Sequence, residues 1–325
     1  MPRLSDILGQ ERAIQVLRRA ISANRLAQAY LFSGPEGVGK ATTALALATA
    51  LNCYDSPGEG CLTCPSCLKI KQGLHPDVIQ VAPDGAFIKI DQVRALERYL
   101  DYPPHEGRFR VIVLDGAEQL NLHAANALLK SVEEPRPFTL FVLITPAIHR
   151  LTPTLRSRCQ RVRFLPLELT AISGIVGQQG TADRAQQQIA VALSAGSAKR
   201  AIRLLESEQL TAIQETMRRL LHASRSGSAQ DLFEATNEAG KDRLFLAEVL
   251  DYVRVWFRDL LLMVEGLAEG RVINADQLPQ LHEEAAQERT RDVLRRLRAI
   301  DEAQTALRGN VNPTLVLENL VLQIR

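Results

Sequence analysis

The 325-residue sequence has almost no excess charge of either sign, since 39 Lys and Arg stand against 37 Asp and Glu for a net +2. A balance this close sets up no global field toward nucleic acid or a membrane surface, so any such contact has to be local. Long hydrophobic runs are missing as well. No stretch approaches the ~18 uninterrupted apolar residues of a membrane span, and the opening "MPRLSDILGQERAIQVLRRA" lacks the apolar core of a secretory leader. A soluble, cytoplasmic protein with no membrane partner is expected. Internal repeats and low-complexity tracts are absent. Cysteine is scarce, five in all, yet four fall in one short run.

What is present divides into three textures. At about one domain per 100–200 residues the length suggests two or three domains. From about Ala29 to Pro166, short apolar runs alternate with helical stretches: "AYLFSG", "VIQVAP", "RVIVLDG", "TLFVLIT" and "QRVRF". Runs of this kind separated by helices predict a parallel sheet covered on both faces. Residues 167–207 hold no strand candidate and are expected to form a small helical unit. From about 208 to 325 the pattern is helical throughout, as in "FLAEVLDYVRVWFRDLLLM", where apolar positions recur every three or four residues. The expected division is therefore 1–166, 167–207 and 208–325.

The run "GPEGVGKAT" follows the first strand candidate and precedes "ATTALALATAL", a stretch of high helix propensity. Strand, glycine loop and helix thus come in the order of a phosphate-binding loop. Gly34, Gly37 and Gly39 would let backbone N–H groups converge on phosphate oxygens, and Lys40 would add a full positive charge at a helix N-terminus. An ordinary glycine turn is the alternative. The hydroxyl that should follow the lysine is missing, because position 41 is Ala. Thr42 is retained as a nucleotide-binding candidate, but one helical step turns a side chain by about 100°, so it cannot replace that Mg²⁺ ligand. The partner acid is Asp115, at the end of "RVIVLD". The next position, where an ATPase of this kind carries a water-polarising glutamate, is Gly116. Glu118, two residues further on, would have to return past the strand end to reach the same water and is expected to be a surface or capping residue. Metal and water are each deprived of a group, so hydrolysis should suffer far more than binding. ATP or ADP is a doubtful ligand.

Cys53, Cys61, Cys64 and Cys67 have the spacing C-x7-C-x2-C-x2-C. Four thiolates complete a tetrahedral Zn²⁺ site with no position open to water, the structural rather than catalytic arrangement. Disulfides are disfavoured by the cytoplasmic expectation. The segment 53–67 would then be a zinc module inserted between the first helix and the second strand. His75, in "GLHPD", is expected to cap or turn rather than ligate, and Cys159 to pack.

"NALLKSVEEP" (126–135) and "LITPAIHRLTPTLRSRCQRVRF" (143–164), with "SRC" at 157–159, resemble the clamp-loader branch of the AAA+ ATPases. "LSDILGQ", "RLAQAYLFSGP", the cysteine insert and the C-terminal "NPTLVLENLVLQI" extend the likeness over nearly the whole chain. The resemblance implies an α/β AAA+ P-loop domain with an inserted zinc module, a helical lid and an all-α collar. It also implies a five-subunit assembly that places a ring-shaped sliding clamp on primed DNA, with gamma/tau-type and delta-type subunits as partners and ATP at the subunit interfaces. In that family the SRC arginine projects into a neighbour's nucleotide site, which falls here on Arg158. Thr145 matches the polar sensor ending the fourth strand, and the second sensor falls on Lys199 or the adjacent Arg200. Arg156, Arg161 and Arg163 are expected to be a solvated basic edge. Motor subunits of the branch keep an intact GK[ST] and an Asp-Glu pair; this chain departs at both. The expected role is scaffold and arginine donor, against two rivals: a working ATPase motor of the same assembly and a stand-alone zinc-containing DNA-binding protein.

Overall fold

The computed structural model describes residues 2–134, 136–178, 183–267, 269–309 and 311–325. Two compact units emerge, Met1–Ala171 and Ile172–Arg325.

Unit 1 is built on five parallel strands, β1 (Ala29–Ser33), β2 (Val78–Val81), β3 (Arg110–Asp115), β4 (Thr139–Thr145) and β5 (Gln160–Arg163), in the order β2-β3-β4-β1-β5. All five coincide with the expected runs. β1 and β4 are buried at every position, and β3 at all but its last. Continuous burial requires cover on both faces, and the packing supplies it. Leu31, Ile112, Leu114, Phe141 and Leu143 pack with α4 (Ile90–Leu100), α5 (Leu122–Glu133) and α6 (Pro153–Arg158), while Tyr30, Phe32, Val113 and Val142 are buried on the other face. The remaining helices of this unit are α1 (Glu11–Ser22), α2 (Lys40–Asn52) and α3 (Pro65–Gln72).

α2 starts where the glycine loop ends and contributes Ala44, Ala46, Leu47, Ala48 and Ala50 to the core. α5 and α6 are capped in the usual way, by Asn121 Oδ1 accepting from the Ala124 N–H at 2.8 Å and Thr152 Oγ1 accepting from Leu155 N–H at 3.4 Å.

Unit 2 is helical: α8 (Arg184–Leu193), α9 (Ala198–Glu206), α10 (Gln209–Ser226), α11 (Ala229–Ala239), α12 (Arg243–Val264), α13 (Leu278–Ala285), α14 (Thr290–Arg308) and α15 (Pro313–Gln323), with α7 (Leu169–Gly177) spanning the junction in sequence. Its core joins Ile189, Leu193 and Leu204 of α8 and α9 to Trp256, Phe257 and Leu260 of α12 and to α15 residues Leu317 and Leu320. Charge follows the same path: Glu248 of α12, almost buried, takes Arg200, Arg203 and Gln209. Most of the apolar face of α12 is therefore consumed inside the unit. On α15, Leu315 and Leu322, seven apart and so on one face, remain exposed.

Candidate functional site

The strand order gathers the loop's partners at one edge of the sheet. Ser33, the last residue of β1, is in register with Thr145 at the end of β4, and Asp115 at the end of β3 is beside Ile144. The loop leaves β1 at Gly34, whose N–H donates to the Thr145 carbonyl at 3.2 Å. A side chain at 34 is impossible without rearrangement, because a Cβ there would lie 2.3 Å from the Phe164 carbonyl oxygen. Gly37 and Gly39 carry the turn, and Lys40 begins α2.

Lys40 is turned onto its own loop. Its ammonium donates to the carbonyls of Gly34 at 2.6 Å and Pro35 at 2.5 Å. Burial holds it below the usual lysine range, against the opposing pull of Asp115, Glu36 and Glu118. Thr42 is exposed on the first turn; Thr43, buried, donates back to the Gly39 carbonyl. The Thr145 hydroxyl is buried and accepts from the Ala147 N–H at 3.0 Å, which leaves its own proton free to donate. Glu118 lies on the short turn Ala117–Gln119 with one carboxylate oxygen buried and unpartnered.

Gly116 is more than a missing glutamate. Its backbone is left-handed, φ 80°, and a Cβ there would lie 3.1 Å from Pro83 Cγ. The chain turns straight from β3 into a 3-10 turn at this point, so a side chain would be both strained and crowded.

Arg158 stands apart from these groups. Lys40, Asp115 and Thr145 cluster at the C-terminal ends of the strands, whereas Arg158 closes α6 just before β5 enters the sheet opposite Tyr30. In the "SRC" run, Ser157 Oγ and Arg158 Nη1 both donate to the Thr154 carbonyl, at 2.9 and 3.2 Å. Cys159 packs against the sheet core, and burial pushes its thiol up to about 11. The guanidinium itself is thus held within the chain, by the Thr154 carbonyl and by an ion pair of Nε with Glu133 at 2.5 Å, while its side chain stays partly exposed. Arg161 is committed instead to Ser33, donating to its hydroxyl at 3.0 Å.

The four cysteines do converge: their sulfurs all lie within 4.8 Å of one another, with Cys53–Cys64 and Cys61–Cys67 each 3.9 Å apart. A tetrahedron of bonds of about 2.3 Å places its sulfurs about 3.8 Å apart, so the set fits one metal ion. Backbone N–H groups of Ser56 and Cys61 donate to Cys53 Sγ, and those of Thr63 and Cys64 to Cys61 Sγ. Hydrogen bonds, Thr63 first, bring the Cys61 thiol down to about 6, the direction that favours a ligating thiolate; burial moves Cys67 the other way. His75 is outside the cluster. Its Nδ1 accepts from the Asp77 N–H at 3.1 Å, the capping role expected of it.

Two groups had no signal in the sequence reading. Asp77, fully buried, accepts from the N–H groups of His105, Glu106 and Gly107 at 2.7–2.8 Å and faces Arg110, whose guanidinium also binds the Tyr102 and Pro103 carbonyls. Glu133 sits within the quoted "SVEEP", but no periodicity links a helix end to an arginine on another helix.

Comparison with known proteins gives the family of the chain. The family profile described as "DNA polymerase III, delta subunit" matches residues 9–168, and its C-terminal counterpart matches 187–325. DNA polymerase III subunit delta' of Bacillus subtilis is 30% identical over 97% of this chain and 96% of its own length. The chain belongs to the delta prime family of DNA polymerase III subunits. It is also related to subunit tau of Bacillus subtilis, at 29% identity over 82% of this chain and 52% of tau. Among solved structures, a gamma subunit-related protein of Thermotoga maritima aligns over 96% of this chain and 99% of its own at 16% identity, with a TM-score of 0.46. In this member of the delta prime family the loop and the strand-end acid lie at the C-terminal ends of β1 and β3, and the SRC arginine lies where the chain enters β5.

Proposed function

We propose that this delta prime chain is a clamp-loader subunit that acts as a rigid scaffold and supplies Arg158 to the ATP site of a neighbouring subunit, while hydrolysing little or no ATP itself. Gly116 carries the reading. A glutamate that polarises water cannot be introduced there without strain, so the sheet edge retains the shape of an ATPase and lacks its chemistry. Gly34, Gly37, Gly39, Lys40 and Thr42 are the groups that would meet the phosphates of ATP or ADP, with Asp115 and Thr145 beyond them. Ala41 removes the Mg²⁺ ligand.

The partners in this reading are gamma/tau-type and delta-type subunits, a sliding clamp and primed DNA. Cys53, Cys61, Cys64 and Cys67 hold a structural Zn²⁺, which closes the 53–67 segment and has no part in the chemistry. Residues 167–207 act as the lid and 208–325 as the collar. Arg200 is tied to Asp251 at 2.7 Å, which favours the exposed Lys199 as the second sensor. Steady-state turnover of the isolated chain with Mg-ATP tests the proposal. The expected rate is indistinguishable from background; turnover that a Lys40→Ala variant abolishes would make the chain a motor.

A further inference from the structure

The geometry points to Glu133 as a positioning residue for Arg158: a carboxylate in this chain that aims a guanidinium offered to another. The inference rests on the donor reading above and extends it to the group that sets the arginine's orientation. Both partners stand on anchored backbone. Leu128 and Val132 of α5 and Leu155 of α6 share one core cluster, and Cys159 packs against it. Glu133 directly follows Val132, and Arg158 lies between Leu155 and Cys159. The backbones are therefore fixed while the side chains stay 42% and 41% exposed, open to an arriving partner.

A guanidinium offers five N–H donors in one plane. Here Glu133 Oε1 forms an ion pair with the guanidinium, 2.5 Å from Nε, and Nη1 donates to the Thr154 carbonyl at 3.2 Å. One ion pair and one hydrogen bond restrain the planar group, and Nη2 has no partner among the described residues, so it can serve an oxygen of a phosphate. An unrestrained arginine has to be ordered during the reaction, whereas one already held loses less freedom on docking. Glu133 also offsets part of the cation's charge, so removing the carboxylate should cost less than removing the arginine.

The test uses clamp loaders reconstituted at matched assembly with wild-type, Glu133→Ala, Glu133→Gln, Arg158→Ala and the Glu133→Ala/Arg158→Ala double variant. Clamp- and DNA-stimulated ATP turnover is measured across ATP concentrations. Glu133→Ala should lower kcat by about three- to tenfold with little change in KM, and add nothing in the Arg158→Ala background. Glu133→Gln keeps an acceptor of the same reach and should recover part of the loss. A Glu133 that merely supports the fold would lower turnover in both backgrounds alike. Wild-type or higher kcat for Glu133→Ala beside an impaired Arg158→Ala would overturn this inference and spare the donor reading. An unimpaired Arg158→Ala would remove both.

Discussion

At Ala41 a methyl group stands where a hydroxyl would reach Mg²⁺, and a serine there would restore the ligand without disturbing the first turn of α2. Gly116 is a different kind of defect. Its left-handed φ of 80° and the nearby Pro83 ring mean that a glutamate added to complete the Asp-Glu pair works against the backbone. Ala41→Ser alone should leave ATP turnover at background, and Gly116→Glu should cost about 1–2 kcal/mol of stability. Denaturant titration checks the second value; a loss too small to measure would mean that the turn relaxes freely. Asp77 supplies a pH prediction. Burial alone would raise its pKa, but three backbone N–H groups and Arg110 outweigh burial and hold the carboxyl below the usual range. A depressed carboxylate stabilises the fold above its unfolded pKa of about 4, and that contribution is lost as pH falls through the lower folded value. Asp77→Ala should cost about 3–5 kcal/mol, because Arg110 is left buried without its counter-charge, and should flatten the acid limb of a stability-against-pH curve. An unchanged acid limb would show that Asp77 is not the group responsible.

The elements differ in how far the sequence discloses them. The central strands β1, β3 and β4 could be read from continuous runs such as "RVIVLD" and "TLFVLIT", because strands covered on both faces need apolar residues at nearly every position. The edge strands β2 and β5 are partly exposed and gave shorter, more polar runs. The loop was legible through its glycines, and the cysteine set through its spacing. Asp77 with Arg110, and Glu133 with Arg158, were not. Those pairs form between residues brought together only by the β2–β3 pairing and by helix packing, and nothing local marks them. The zinc module is an element-scale prediction. A closed thiolate set contributes folding energy locally, so Cys64→Ser or chelation should raise amide exchange across 53–72 and leave β3 and β4 protected. Metal analysis should find one zinc per chain in reduced protein. Equal loosening of β4 would mean that the module supports the sheet itself.

For the whole molecule, the distribution of core residues decides where the chain can be cut. Leu193 and Leu204 share a core with Trp256 and Leu317, so a break after residue 207 would strip the expected lid of its packing. A break at the boundary between Ala171 and Ile172 follows the compact units. Residues 1–171 alone should remain folded and retain zinc but fail to enter the clamp-loader complex; normal incorporation would contradict a collar role for the helical part. The exposed Leu315 and Leu322 of α15 are surface available for that role.

In the proposed reading the chain turns over no ATP and keeps this fold because the sheet's rigidity holds a cation for another subunit's chemistry. An arginine supplied across an interface is worth about 10³–10⁵ in rate in related phosphoryl transfers. Lysine should substitute poorly, since it lacks the planar fork. The most direct measurement compares clamp- and DNA-stimulated ATP turnover of complexes reconstituted, at matched assembly, with wild-type or Arg158→Ala chain. The account predicts a large fall in turnover with zinc content and complex formation unchanged. Equal rates would contradict it and assign Arg158 to the solvated basic edge with Arg156 and Arg163.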